Sequence, residues 1–167
     1  MFRKMRRNKQ YLSEEECIAI LQRGSHCVLA LAGDEGYPYS LPISYAYEDG
    51  KLYMHGAGEG HKIDSIRRCD KVSFTVVDQD LNVPPELTIY FRSVIGFGRA
   101  RILENEDEIR HCARLVGTKY SPGYEEKAEA SIARQLHHMG CIEITIEHLT
   151  GKQAIELVKE SGPEDMH

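Results

Sequence analysis

The stretch with the clearest chemical content is Gly56-Ala57-Gly58-Glu59-Gly60-His61-Lys62. Glycines let a backbone approach a ligand closely. Residues 61–68 then have helical spacing, with Ile63 and Ile66 inward. The first N–H groups of a helix have no partner within it, and the helix dipole adds positive potential, so such a step suits an anion. Lys62 supplies a point charge and His61 a second donor. The glycine spacing and the missing Ser/Thr separate this stretch from the GxGxxG fingerprint and the Walker loop. The residues read as a phosphate site or as a simple glycine-rich turn. His55, just before the loop, is a donor to a ligand or a satisfied strand-end histidine. Its ordinary titration range would allow acid or base work.

Other candidates carry less. His137, His138 and Cys141 lack a fourth ligand for tetrahedral zinc, and His26-Cys27 and His111-Cys112 are adjacent pairs that chelate poorly, so no metal is expected. Ser25, Ser40, Ser44 and Ser93 include no GxSxG elbow.

Several elements must position these groups. Ser13 and Glu16 form a capping box for a helix to Arg23, with Leu12 and Cys17 as a hydrophobic staple and Gly24 as the C′ residue that ends it. Strands are expected over 26–32, 39–47 and 51–55, with turns at Asp34-Glu35-Gly36 and Glu48-Asp49-Gly50. Pro42 marks an edge, a bulge or a ligand-facing position. A strand over 71–77, a loop over 78–86, and one long strand or two over 87–103 follow. Helices are expected from Asn105 to about Lys119 and from Tyr124 to His138. Alternation over 141–148 predicts a half-buried strand.

The composition sets the frame. The 167 residues fit one domain, over 1–160, with 161–167 as a tail. The net charge of −5 argues against nucleic acid as a main partner. A basic start (Arg3, Lys4, Arg6, Arg7, Lys9) reads as a solvated tail or as an arm near an anionic cofactor. No apolar run follows it, and no 18-residue apolar stretch occurs, so no membrane span is expected. Five widely spaced cysteines without CxxC suggest reduced thiols and a cytoplasmic setting.

The order of these pieces resembles the pyridoxamine 5'-phosphate oxidase-related, FMN-binding split-barrel family. Tyr37-Pro38-Tyr39-Ser40-Leu41-Pro42-Ile43-Ser44-Tyr45 is similar to its strand along the flavin ring, and 52–57 with Gly60-His61-Lys62 to its phosphate step. Tyr90 to Ala100 resembles the strand that reaches the flavin of the partner subunit. Residues 1–7 and His148 to Ala154 resemble the nitroimidazole-resistance branch. The resemblance implies a mostly β, FMN-binding split β-barrel of Greek-key type with peripheral α-helices. It implies a homodimer with flavin sites at the subunit interface. FMN contacts are expected at Pro42, Ile43, Ser44, Tyr45, His55, Gly56, Gly60, His61, Lys62, Tyr90, Arg92 and Ser93, with His55 the catalytic candidate. The implied activity is an oxidoreductase that takes electrons from NAD(P)H or another donor and reduces a small-molecule acceptor such as a nitroimidazole. A flavin sensor without turnover, or a barrel that holds haem or a deazaflavin, is the alternative. The chain has no Trp, and its end, Ile155 to Glu160, lacks the basic and aromatic set that holds pyridoxamine phosphate, so that substrate is not expected.

Overall fold

The computed structural model describes residues 2–6 and 8–160. The expected tail over 161–167 lies outside the described residues. Eight strands form one antiparallel sheet: β1 (Tyr11–Leu12), β2 (Cys27–Ala32), β3 (Pro38–Ile43), β4 (Ala46–Glu48), β5 (Lys51–Ala57), β6 (Lys71–Val83), β7 (Thr88–Ile102) and β8 (Met139–Gln153). Their order is β3-β2-β6-β7-β8-β5-β4, with β1 added to β8. The sheet curls into a split β-barrel with peripheral helices α1 (Glu14–Arg23), α2 (His61–Arg68), α3 (Glu106–Tyr120), α4 (Glu125–Gln135) and α5 (Ile155–Glu160).

Inward residues of the strands make the core, among them Leu29, Leu52, Met54, Phe74, Val76, Val94, Ile142 and Ile144. Ile20 and Leu21 of α1 and Ile63 and Ile66 of α2 close it. Burial of each such side chain contributes about 2 kcal/mol. The capping box forms as expected: the Glu16 N–H donates to the Ser13 hydroxyl at 3.1 Å, and the Ser13 N–H to the Glu16 carboxylate at 2.6 Å. Gly24 ends α1 as expected, with φ −61°. It is there for space, because a β-carbon would stand 2.6 Å from the Tyr45 hydroxyl and 2.9 Å from Val76.

Three expectations change. The expected loop over 78–86 is mostly strand: β6 continues to Val83 through a bulge between Val77 and Gln79, and only Pro84–Glu86 turns. The expected strand over 39–47 breaks at Ser44-Tyr45 into β3 and β4. Pro42 is tolerated because β3 ends the sheet and one side of it needs no donor. The half-buried strand over 141–148 is buried on both faces from Gly140 to Glu143, with Ile144 buried inside, and alternates only beyond that. The cause is a second cluster: α3 and α4 pack Ile109, Cys112, Ala113 and Ile132 over Tyr53 and Cys141.

The basic arm is not a free tail over its described part. Phe2 stacks on His148 at 4.6 Å and lies 5.3 Å from Phe97, and the Met5 N–H donates to the Tyr11 hydroxyl at 3.1 Å. No helix among the described residues is long and apolar enough to cross a membrane.

Candidate functional site

Strand β5 buries Met54 and turns His55 outward, and the loop after it leads into α2. Gly60 takes φ 107°, a conformation that favours glycine. The Asp64 N–H donates to the Gly60 carbonyl at 3.1 Å and closes the first turn. The N–H groups of His61, Lys62 and Ile63 therefore lie before the first helical acceptor. Lys62 folds back over the end of β5: a β-carbon on Gly56 would stand 3.0 Å from its ammonium. Lys62 is half-buried, and among the described residues no ion pair or hydrogen bond engages it. Loss of water around it holds its pKa below the ordinary lysine value. A partly desolvated cation without a counter-ion, beside free N–H groups, is a site built for an anion.

His55 shares this ground. Its ring keeps an open side, yet crowding by protein and the nearby Lys62 charge push its pKa below the usual histidine value. Neutral imidazole can then both donate and accept a hydrogen bond. His61 is held elsewhere: its ring stacks on Tyr39 at 4.0 Å, and its Nε2 lies 3.4 Å from Asp34, which also accepts from Arg68 at 2.9 Å. The stack ties the start of α2 to β3, so His55, Gly56, Gly60, His61 and Lys62 come together beside the strand that carries Pro42.

On β3, Pro42 is exposed and Ile43 packs on the core; Ser44, just beyond, is exposed. The Tyr45 side chain is fully buried. Its hydroxyl has no hydrogen-bond partner among the described residues, and burial raises its pKa far above the tyrosine range. Its backbone is clamped by α3. The Lys119 ammonium donates to the carbonyls of Tyr45 at 2.9 Å and Gly24 at 2.5 Å, and lies 4.1 Å from the Tyr45 ring centre. The Tyr120 hydroxyl accepts from the Tyr45 N–H at 3.0 Å and donates to the Ser25 carbonyl. Sequence reasoning missed this clamp, because Lys119 and Tyr120 look like ordinary residues at the end of an amphipathic helix.

The third group stands apart. Tyr90 donates to Glu86 at 2.8 Å. Arg92 donates to Gln153 at 3.2 Å and lies 3.6 Å from Asp78, the bulge residue, which also takes both oxygens' worth of Arg23 at 2.6 and 2.7 Å. Ser93 is half-buried opposite Lys152. His55 pairs with Cys141 and Arg92 with Gln153, at opposite ends of β8. Those ends are separated by roughly 40 Å along the strand. The outer face between them is apolar: Val28, Val77, Ile95 and Phe97 are all exposed.

The family model for pyridoxamine 5'-phosphate oxidase matches residues 13–153. No curated protein matches the chain at a significant level. Among solved structures, a candidate 5-nitroimidazole antibiotic resistance protein from Bacteroides thetaiotaomicron is 22% identical, with 86% of each chain covered and a TM-score of 0.71. An FAD-binding protein from Mesorhizobium loti is 28% identical, over 87% of this chain and 97% of that one, with a TM-score of 0.62. An FAD- and haem-binding protein from Mycobacterium smegmatis is 20% identical, over 93% and 81%, with a TM-score of 0.74. The shared architecture and the extent of the family match agree with the resemblance carried by the glycine step and its flanking strands: the chain belongs to the pyridoxamine 5'-phosphate oxidase family.

Proposed function

We propose that this protein is an FMN-dependent oxidoreductase that works as a homodimer and reduces a small acceptor of the nitroaromatic kind. The observation that carries the reading is Lys62, a half-buried ammonium without a counter-ion at the glycine-rich start of α2. One such cation with adjacent N–H groups matches one phosphate monoester, as FMN has. The named FAD-binding and nitroimidazole-resistance relatives support the flavin and acceptor classes. The separation of His55 and Arg92 along β8 supports the dimer, because a ligand that touches both groups needs a second copy of the chain.

Bound flavin would supply hydride chemistry, which is the cofactor's own. Lys62 and the N–H groups of 61–63 would hold the phosphate. Pro42 and Ser44 would lie along the ring, and His55 would offer a neutral donor to ring or acceptor. Arg92, already set by Asp78 and Gln153, would be presented to the partner's site. NAD(P)H is the proposed electron donor.

The decisive test is the visible spectrum of the purified protein, with acid release and identification of any chromophore. Released FMN supports the reading; released FAD changes the cofactor, and a haem band replaces it. Lys62→Ala should lose flavin with the fold intact. His55→Ala should keep flavin and alter its reoxidation by a nitroaromatic, measured by stopped flow. An unchanged rate would leave His55 a structural residue. Flavin that no donor reduces would favour a sensor or store.

A further inference from the structure

A cavity of about 440 Å³ on the outer face of the sheet is lined by Met5, Arg6, Ile95 and Lys152, none of them part of the Lys62 step. We infer that this cavity binds a small organic anion, an apolar body that carries a carboxylate. The volume lies in the range of small-molecule sites. Its charge is the informative feature. The chain carries more acids than bases, 26 against 21. Arginines elsewhere on the sheet have carboxylate partners: Arg23 with Asp78, Arg99 with Asp70 and Glu147, Arg101 with Glu108 and Glu143. Arg6 and Lys152 have none among the described residues, although both line one cavity.

Two like charges at one cavity repel, and an anion between them removes that cost. The guanidinium offers a planar fork that matches two carboxylate oxygens, and the ammonium offers a point charge. Ile95 and Met5 supply the apolar wall, and the Lys152 ammonium lies 5.1 Å from the Phe91 ring centre. The arm that carries Arg6 is tied to the body of the protein by the Phe2–His148 stack and the Met5–Tyr11 hydrogen bond. Among the described residues no nucleophile or metal-ligand set lines the space, so the site is read as one that holds a ligand. Ile95 also belongs to the exposed apolar face, so in the proposed dimer the ligand would lie against the interface. The site does not depend on flavin. With flavin present it would favour acidic acceptors over neutral ones.

The test is calorimetric titration of the purified full-length protein with benzoate, and with benzyl alcohol as the neutral control. Benzoate should bind, and benzyl alcohol at least about tenfold more weakly. Arg6→Gln and Lys152→Gln should each weaken benzoate binding by about tenfold with unchanged melting temperature. Lys62→Gln should change it by less than about twofold, because Lys62 does not line the cavity. Flavin retention in the same variants separates the two readings: loss in Lys62→Gln alone leaves both standing. The inference is overturned if benzoate does not bind, if benzyl alcohol binds equally well, or if Lys62→Gln rather than the other two abolishes binding.

Discussion

Lys62 carries a cost that its ligand would remove. Its folded pKa lies below the unfolded value, so the unfolded chain holds the proton more tightly. The stabilising contribution is therefore present only above the unfolded lysine range and is absent at neutral pH. Lys62→Met should lose flavin, yet in flavin-free protein its melting temperature should equal or exceed that of the parent, as calorimetry can show. Asp78 has the opposite sign. Its carboxyl is held below the usual range by the Arg23 hydrogen bonds, opposed by burial, with Arg92 adding to the drop. Its contribution is present above the unfolded carboxylate pKa and is lost as pH falls through the lower folded value. Asp78→Asn should cost about 2 kcal/mol at pH 7 in urea unfolding. The difference from the parent should shrink toward pH 3, and a gap that persists there would refute the charge-based account.

At the scale of elements, glycines set how closely strands and core approach. A β-carbon on Gly96 would collide with the Phe74 ring, and one on Gly98 with the Thr145 carbonyl. Gly96→Ala should therefore destabilise the fold by about 2 kcal/mol, an overpacking cost readable from the shift in denaturant midpoint. Tyr120→Phe removes the hydroxyl that grips Tyr45 and Ser25. It should cost about 1 kcal/mol and raise amide exchange at Tyr45. The same glycines show what was legible in the sequence. Helix α1, with its capping box, and helix α2, with Ile63 and Ile66, could be read from local periodicity because their signals lie within one turn. The glycine step at Lys62 could be read for the same reason. Asp78 could not, since a polar run followed by Pro84-Pro85 looks like a loop until pairing with β7 is known. The burial of Tyr45 could not be read either, because a distant helix, α3, leaves no mark on its sequence neighbours. The continuous burial over 140–144 has a similar origin: α3 and α4 laid across one end of β8.

At the scale of the whole molecule, the outer face of the sheet exposes Val28, Val77, Ile95 and Phe97 together. Exposed apolar residues grouped on one face suit an interaction surface, and the proposed dimer would use this one. Val28→Asp with Val77→Asp should give a monomer in light scattering, with native circular dichroism and little retained flavin. A dimer that persists would place the interface elsewhere. Strand β8 has a further consequence. It lies between β7 and β5 and also pairs with β1, yet it is made after every other strand. On the ribosome, β5 and β7 must emerge with that central gap unfilled and wait for Met139–Gln153. Until then the nascent chain presents open strand edges, which are templates for wrong pairing. Its yield in the cell should accordingly depend on chaperone supply and on translation speed through α3 and α4 more than on the stability of the finished fold.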